Sequence, residues 1–167
     1  MTSTKSCRIR PYREGDGDVV RRLIAELQDS LRGHDHWLPS GEAMSADYLE
    51  YTFESCRTQD GRILVAEVEG TIVGFATILT RVPFDSPDSP PGHFAYLMDL
   101  SVHAPYRGQG IGSLLMAAAE DAARAARALE FRTLVLHGNP AVNLYRRAGM
   151  ADYSLTLRKR LDDAAPK

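Results

Sequence analysis

The sequence predicts an α/β fold in which a mixed, mostly antiparallel sheet is flanked by helices. Three observations predict it. Apolar residues repeat with helical spacing between 20 and 31, two strand patterns flank a tight turn between 62 and 80, and a strand, a glycine-rich turn, a helix and a strand follow between 93 and 137. The chain has 167 residues, of which 44% are hydrophobic and 25% charged. We therefore expect a single domain spanning residues 1–167.

The first quarter of the chain predicts one strand and two helices. Residues 7–12, CRIRPY, form a short strand pattern, and Asp16 or Asp18 is available to cap the helix that follows. The apolar residues of that helix recur at i, i+3 and i+4: Val20, Leu23, Ile24, Leu27 and Leu31. A second helix begins near Ser45 and places Leu49, Phe53 and Cys56 on one side.

The central part of the sequence has the two-residue period of strands. RILVAEV (62–68) and TIVGFATILT (71–80) flank Glu69-Gly70 and predict an antiparallel hairpin. Residues 81–92 contain four prolines, which predicts a surface loop outside the hydrogen-bond ladder. Residues 93–102 alternate as a strand. The pattern places Phe94, Tyr96, Met98, Leu100 and Val102 on one face, and Ala95, Leu97, Asp99 and Ser101 on the other.

The last third predicts a β-α-β unit followed by a helix and a strand. The alanine-rich stretch 112–128 is a helix pattern, and 131–137 is a buried strand pattern, so we expect strands 93–102 and 131–137 to be parallel. Residues 139–149 predict a short helix that ends at Gly149. DYSLTLRKRL (152–161) alternates and predicts a final strand.

Composition argues against several classes of partner. The net charge is −2 and the pI is near 6.2, so no overall positive field recruits nucleic acid or an acidic membrane. Cys7 and Cys56 suit neither a disulfide framework nor a zinc site, which indicates a reducing compartment. His34 and His36 have no third ligand at metal spacing, so we expect no metal. Without a targeting or membrane-spanning pattern, the expected location is the cytoplasm.

The glycine-rich turn is the strongest functional signal. Gly108, Gly110 and Gly112 follow Arg107 and precede a helix, and a helix N-terminus with exposed amides is an anion site. A P-loop requires Lys, and none lies between Gly70 and Leu157. A dinucleotide fingerprint requires glycine at 113 or 115, where serine and leucine stand. These departures disfavour a nucleotide-binding domain.

What remains is the pattern Arg-x-x-Gly-x-Gly behind a strand. MDLSVHAPYRGQGIGSLLM (98–116) and GNPAVNLYRRAGM (138–150) resemble the two sequence motifs of the GNAT superfamily, the GCN5-related N-acetyltransferases. The resemblance implies a GNAT-type sheet with a splayed parallel strand pair at the cofactor site. It also implies direct transfer of an acetyl group from acetyl-CoA to a primary amine of a small molecule, a peptide or a protein. A homodimer is a further expectation from the family.

The resemblance also implies a set of cofactor-binding residues. The amides of Leu100, Ser101 and Val102 would pair with the pantetheine arm. The pyrophosphate would be bound by the turn and the start of the helix, which comprise Arg107, Gly108, Gln109, Gly110, Ile111, Gly112 and Ser113. Asn139 lies one residue closer to Tyr145 than the family's usual spacing, and its residue type is also explained as a helix cap.

Two residues are candidates for proton transfer, each with a structural alternative. The resemblance implies that Tyr145 stands near the thioester sulfur and protonates the leaving thiolate, whereas its spacing alone also fits a core tyrosine. Asp99 could deprotonate the amine, directly or through water, or could simply hold a neighbouring loop. By the family's layout, His34, His36, Trp37 and the loop 81–92 are candidates for acceptor selection. The alternative function is an acyl-CoA-binding regulatory module without turnover.

Overall fold

Five strands form one sheet in the order in which they occur along the chain. The computed structural model describes residues 6–161. The strands are β1 (Cys7–Pro11), β2 (Arg62–Val68), β3 (Thr71–Pro83), β4 (His93–Val102) and β5 (Phe131–Thr133). Neighbouring strands are antiparallel except β4 and β5, which are parallel. The predicted mixed, mostly antiparallel α/β fold is thus confirmed.

Four helices cover the two faces of the sheet, and each face has its own core. The helices are α1 (Gly17–Arg32), α2 (Gly41–Thr58), α3 (Ile111–Ala125) and α4 (Val142–Arg147). Helices α1 and α2 pack on one face around Val20, Ile24 and Phe75. Helix α3 packs on the other face around Leu97, Leu115 and Met116, and Tyr145 of α4 joins that core.

A β-bulge in β4 corrects the predicted assignment of its faces. Thr77 pairs with Asp99 and Ile78 pairs with Leu97, so Met98 is an extra residue in β4. Side chains alternate strictly only in an unbulged strand, and the extra residue reverses the faces beyond it. Leu97 and Leu100 therefore share the α3 core, and Asp99 lies with Tyr96 on the α1–α2 side. The prediction that Asp99 lies on the same face as Leu97 is wrong.

Several element boundaries also differ from the predicted ones. Helix α2 begins at Gly41 rather than near Ser45, because the Ser40 hydroxyl accepts a hydrogen bond from the amide of Ala43 at 3.2 Å and caps it. Strand β3 extends to Pro83, which pairs with His93, so the loop begins at 84 and not at 81. Strand β5 ends at Thr133 rather than at 137.

The predicted final strand is absent from residues 151–161, which have no regular secondary structure and are exposed. Two contacts attach this segment to the connection between α1 and α2. Arg158 forms an ion pair with Asp35 at 2.5 Å, and the Arg160 guanidinium lies 3.5 Å from the centre of the Trp37 ring. Because a strand requires a partner for its backbone groups, the alternating pattern alone does not produce one.

Candidate active site

The two parallel strands β4 and β5 separate at the centre of the site. Their pairing ends at Leu97 and Thr133, where the Thr133 hydroxyl donates a hydrogen bond to the Leu97 carbonyl at 3.0 Å. Strand β4 continues for five residues beyond this point without β5 beside it. The backbone of Leu100, Ser101 and Val102 therefore has an edge that β5 leaves open, which is where an extended ligand can add as a strand.

The glycine turn lies just beyond this open edge and leads into α3. Gly108 and Gly110 have φ values of +74° and +84°, and no atom lies within 4 Å of a Cβ added at either position. Glycine adopts this conformation without the penalty that a side chain brings. The space in front of both residues is open, and the first-turn amides of α3, Ile111 to Ser113, lack the i−4 carbonyls of a helix interior. The turn is therefore suited to an anion.

The third glycine of the motif has a different role. A Cβ at Gly112 would lie 3.3 Å from a methyl group of Leu144, so this glycine allows α3 to approach α4 closely. A groove of about 270 Å³ lies between these helices, and its walls include Ser113, Leu144 and Arg147. On the α3 side the groove extends from Ser113 to Glu120.

Helix α1 fixes the position of the glycine turn through Glu26. Its carboxylate accepts hydrogen bonds from the amide of Ala104 at 2.8 Å and from the guanidinium of Arg107 at 3.0 Å, and it contacts the His103 ring at 2.6 Å. Arg107 also donates from Nε to the Val102 carbonyl at 2.7 Å. The side chain of Arg107 thus connects α1, the end of β4 and the turn, and leaves the turn's own amides to face a ligand.

Asp99 is the buried acidic group of the site. Only 6% of its surface is exposed, and its Oδ1 accepts a hydrogen bond from the Tyr48 hydroxyl at 2.8 Å. Its Oδ2 is buried and has no hydrogen-bond partner among residues 6–161. Thr77 of β3 pairs with Asp99, and its buried hydroxyl also has no hydrogen-bond partner in that range. Burial raises the pKa of Asp99 to about 6, and the nearby Tyr48 and Thr77 hydroxyls partly offset this rise.

Tyr145 lies where the strands separate. It is buried in the α3 core, and burial raises the pKa of its hydroxyl, an effect that the nearby Thr133 hydroxyl reduces and the charge of Asp99 increases. Because Thr133 is the last residue of β5 paired with β4, the hydroxyl of Tyr145 lies at the fork. Tyr145 therefore belongs to the core and to the site, so the two readings of its spacing are compatible.

The other predicted site residues lie nearby with local roles of their own. The side-chain oxygen of Asn139 accepts a hydrogen bond from the amide of Ala141 at 2.9 Å, as in a capping turn before α4. Gln109 donates to the Pro105 carbonyl at 3.3 Å, and the Ile111 side chain is buried in the core. His34, His36 and Trp37 lie in the connection between α1 and α2, where Asp35 accepts a hydrogen bond from the Trp37 amide.

Residues 6–161 contain neither a candidate metal site nor a helix suited to spanning a membrane. No group of three or more His, Cys, Asp and Glu side chains in that range is arranged to hold a metal ion. Within the same range, no helix combines the length and the apolar character needed to cross a bilayer.

Sequence reasoning missed four residues of the site: Tyr48, Thr77, Glu26 and Thr133. Each acts on a partner far away in the chain; Tyr48, for example, is 51 residues from Asp99. A local pattern cannot reveal such pairs. One available signal was Ser40, a residue type that caps helices. Read as the cap, it places the start of α2 about one turn earlier than predicted and puts Tyr48 well inside the helix.

Sequence comparison identifies relatives that span most of the chain. Residues 22–150 match the model of the acetyltransferase (GNAT) family. The chain is 32% identical over 147 residues to the thialysine N-epsilon-acetyltransferase of Bos taurus, covering 86% of this chain and 84% of that protein. Identity to the Mus musculus protein of the same name is 33% over 152 residues, covering 88% and 85%.

Solved structures of low sequence identity share the fold. A GCN5-related N-acetyltransferase from Ralstonia eutropha superposes with a TM-score of 0.74 at 18% identity, covering 94% of this chain and all of that one. Glucosamine-6-phosphate N-acetyltransferase from Arabidopsis thaliana gives 0.67 at 18% identity, with 94% and 99% covered. The family match over residues 22–150 and the relatives at 32–33% identity establish that the chain belongs to the acetyltransferase (GNAT) family and is an N-acetyltransferase.

Proposed function

We propose that the protein transfers the acetyl group of acetyl-CoA to a primary amine by direct attack, with Asp99 as the proton acceptor and Tyr145 as the proton donor. One observation carries the proposal. Asp99 is a buried carboxylate that forms no ion pair with any cation of residues 6–161. A buried charge without a counter-ion is costly, and such groups concentrate at functional sites. A cationic amine is the partner that this carboxylate lacks.

The chain's residues fit acetyl-CoA as the co-substrate. The pyrophosphate is assigned to the open space before Gly108 and Gly110, with the amides from Gly108 to Ser113 as its donors. The amide of Arg107 already donates to the Ala104 carbonyl at 3.2 Å. The open edge of β4 at Leu100, Ser101 and Val102 is assigned to the amide-bearing pantetheine arm. The side-chain amide nitrogen of Asn139 is a further donor for that arm, since its oxygen is occupied by the amide of Ala141. Bound there, acetyl-CoA supplies an acetyl group activated as a thioester.

The proton transfers follow from the two titratable groups at the fork. A lysine-like amine has a pKa near ~10.4 and must lose a proton before it attacks. Asp99 accepts this proton through its free Oδ2, directly or through water, while the new C–N bond replaces the C–S bond. As the C–N bond forms, the nitrogen loses its second proton to solvent. The hydroxyl of Tyr145 donates a proton to the sulfur and regains one from solvent, and Asp99 releases its proton to solvent. The two protons lost by the ammonium are thus balanced by one proton on the CoA thiol and one released to solvent.

The first acceptor to examine is thialysine, which is named in the relatives at 32–33% identity. A small, cationic acceptor is supported by the buried carboxylate. Acceptor selection is assigned to the connection between α1 and α2, with His34, His36 and Trp37, and to the loop that ends at residue 92. Both segments lie outside the two sequence motifs.

The proposed setting is a homodimer in the cytoplasm. Leu155 and Leu157 of the C-terminal segment are 81% and 85% exposed, and β5 pairs only with β4 among the described strands. A second copy of the chain would cover these leucines and pair with the segment or with the edge of β5. Cys7 and Cys56 are free thiols, which agrees with a reducing compartment.

An amine panel with mass detection tests the proposed activity. Purified protein is incubated with acetyl-CoA and thialysine, lysine, a polyamine or a lysine-containing peptide, and product mass and free thiol are followed. Thialysine that is already acetylated on its side-chain amine is the matched control. We expect acetylated thialysine and one thiol per product. Stabilisation by acetyl-CoA without any acetylated amine would instead support the alternative, a non-catalytic acyl-CoA-binding module.

A further inference from the structure

Tyr48 forms the only hydrogen bond to Asp99 among the described side chains. Its hydroxyl lies 2.8 Å from Oδ1, so α2 holds a carboxylate that β4 carries. The two oxygens of Asp99 are consequently different: Oδ1 is fixed, and Oδ2 is buried without a partner. A hydroxyl that donates to a carboxylate stabilises its charged form and fixes its orientation.

We propose that Tyr48 is a positioning residue for acetyl transfer, which holds Oδ1 of Asp99 so that Oδ2 faces the acceptor amine in its ionised form. The inference rests on the proposed function, because it takes Asp99 as the proton acceptor. No family motif in the sequence includes Tyr48. The β4 bulge is essential to the arrangement, since without Met98 as an extra residue Asp99 would face α3 rather than α2.

Asp99 is surrounded by hydroxyl and thiol groups from four elements. Helix α2 presents Tyr48, Tyr51 and Cys56, β4 presents Tyr96, β3 presents the neutral Thr77, and α4 presents Tyr145. Burial raises the pKa of Tyr48, Tyr96 and Tyr145, and raises the pKa of Cys56 to about 11. These groups are therefore neutral between pH 5 and 8, and a change in that range reports Asp99.

The test compares Tyr48→Phe with Tyr51→Phe. Both changes remove one hydroxyl from the same helix face, and the two rings lie 5.9 Å apart, but only Tyr48 bonds Asp99. The carboxyl pKa of Asp99 is read by carbon NMR of aspartate-labelled protein, assigned with Asp99→Asn. This readout needs no acceptor and no turnover. Circular dichroism confirms that each variant is folded.

We expect Tyr48→Phe to raise the pKa of Asp99 by roughly one unit and Tyr51→Phe to leave it unchanged. In activity assays, the ratio of parental to variant kcat/KM cancels the titration of the amine. That ratio should be about fivefold larger at pH 6 than at pH 8, where Asp99 is ionised in both proteins and only the loss of its orientation remains. A merely structural role would lower activity equally at both values.

The outcomes separate the two proposals. An unchanged Asp99 pKa in folded Tyr48→Phe, or an activity loss that is independent of pH, would overturn the role of Tyr48. If the pKa rises in Tyr48→Phe but Asp99→Asn retains parental activity, then Tyr48 sets the charge of Asp99 and the assignment of Asp99 as proton acceptor is wrong.

Discussion

At the scale of single residues, the buried carboxyl of Asp99 lowers the stability of the folded protein where it is ionised. Its folded-state pKa of about 6 lies above the unfolded value of 3.8, so the folded protein binds its proton more tightly. The stabilisation is therefore present below pH 3.8 and is lost as the pH rises through 6. The shift of about two units corresponds to about 3 kcal/mol at pH 8.

Asp99→Asn should consequently stabilise the fold at pH 8. The amide has similar shape and no charge, and its oxygen still accepts from Tyr48. We expect the free energy of unfolding of the variant, measured in urea, to exceed the parental value at pH 8 by up to about 3 kcal/mol and to match it near pH 4. A variant that is equally or less stable than the parent at both pH values contradicts the desolvated state of Asp99.

At the same scale, Tyr145→Phe separates the packing role of the ring from the proposed proton transfer by the hydroxyl. Phenylalanine retains the ring in the α3 core and removes only the hydroxyl beside Thr133. General acid catalysis contributes about 10²-fold to 10⁴-fold, and a thiolate is a good leaving group, so we expect kcat to fall by about 10²-fold. The Kd of acetyl-CoA, measured by calorimetry, should change little. Parental kcat in a folded variant, with chemistry rate-limiting, would make Tyr145 a packing residue.

At the scale of elements, the glycine turn can be tested against a second turn with the same backbone. Gly110 and Gly70 have φ values of +84° and +79°, and a Cβ at either meets no atom within 4 Å. Valine should therefore strain both positions comparably, by at least ~1–2 kcal/mol. Only Gly110 lies at the start of α3, since Gly70 forms the turn between β2 and β3.

Gly110→Val should weaken acetyl-CoA binding, whereas Gly70→Val should not. The branched side chain enters the space assigned to the pyrophosphate, and the amides beside it lose their approach. We expect the Kd for CoA to rise at least about tenfold in Gly110→Val and to stay near the parental value in Gly70→Val, by calorimetry. Equal affinity in both folded variants would exclude the turn as the pyrophosphate site.

Also at the scale of elements, the sequence predicts features that depend on neighbouring residues and misses those that depend on residues distant in the chain. Helix α1 and the hairpin of β2 and β3 follow from periodicity and a two-residue turn, so they were predicted. The bulge at Met98 was missed, because an alternating pattern reads continuously through an extra residue. The same limit hid Glu26, which fixes the turn from α1, since its partners lie at residues 103–107.

At the scale of the whole molecule, the two sides of the sheet have separate tasks. The α3 side supplies the glycine turn, the groove and Tyr145, whereas the α1–α2 side supplies Tyr48 and the connection beside the acceptor site. The fork between β4 and β5 joins them, because the bulge lets one strand present Leu100 to the first side and Asp99 to the second. On the proposed assignments, the cofactor and the acceptor would bind distinct surfaces that meet at the fork.

The C-terminal segment, residues 151–161, has exposed leucines and no strand partner among the described residues. Its pattern predicts a strand over residues 152–161, yet Leu155 and Leu157 are exposed and no described strand pairs with it. Exposed alternating leucines beside an unpaired sheet edge form a template for another chain. In the proposed homodimer, a second copy would cover these leucines and supply the pairing strand.

Leu157→Glu should therefore convert the protein from a dimer into a monomer, and Thr156→Glu is its matched control. Both residues are exposed, and both variants carry the same new charge. Neighbouring side chains point to opposite faces once the segment pairs as a strand. Burying a glutamate against a partner's apolar residues is costly, whereas the control side chain remains in solvent. By light scattering we expect a dimeric parent, a dimeric Thr156→Glu and a monomeric Leu157→Glu. A monomeric parent at all concentrations, or a dimer that Leu157→Glu leaves intact, would show that this segment is not the interface.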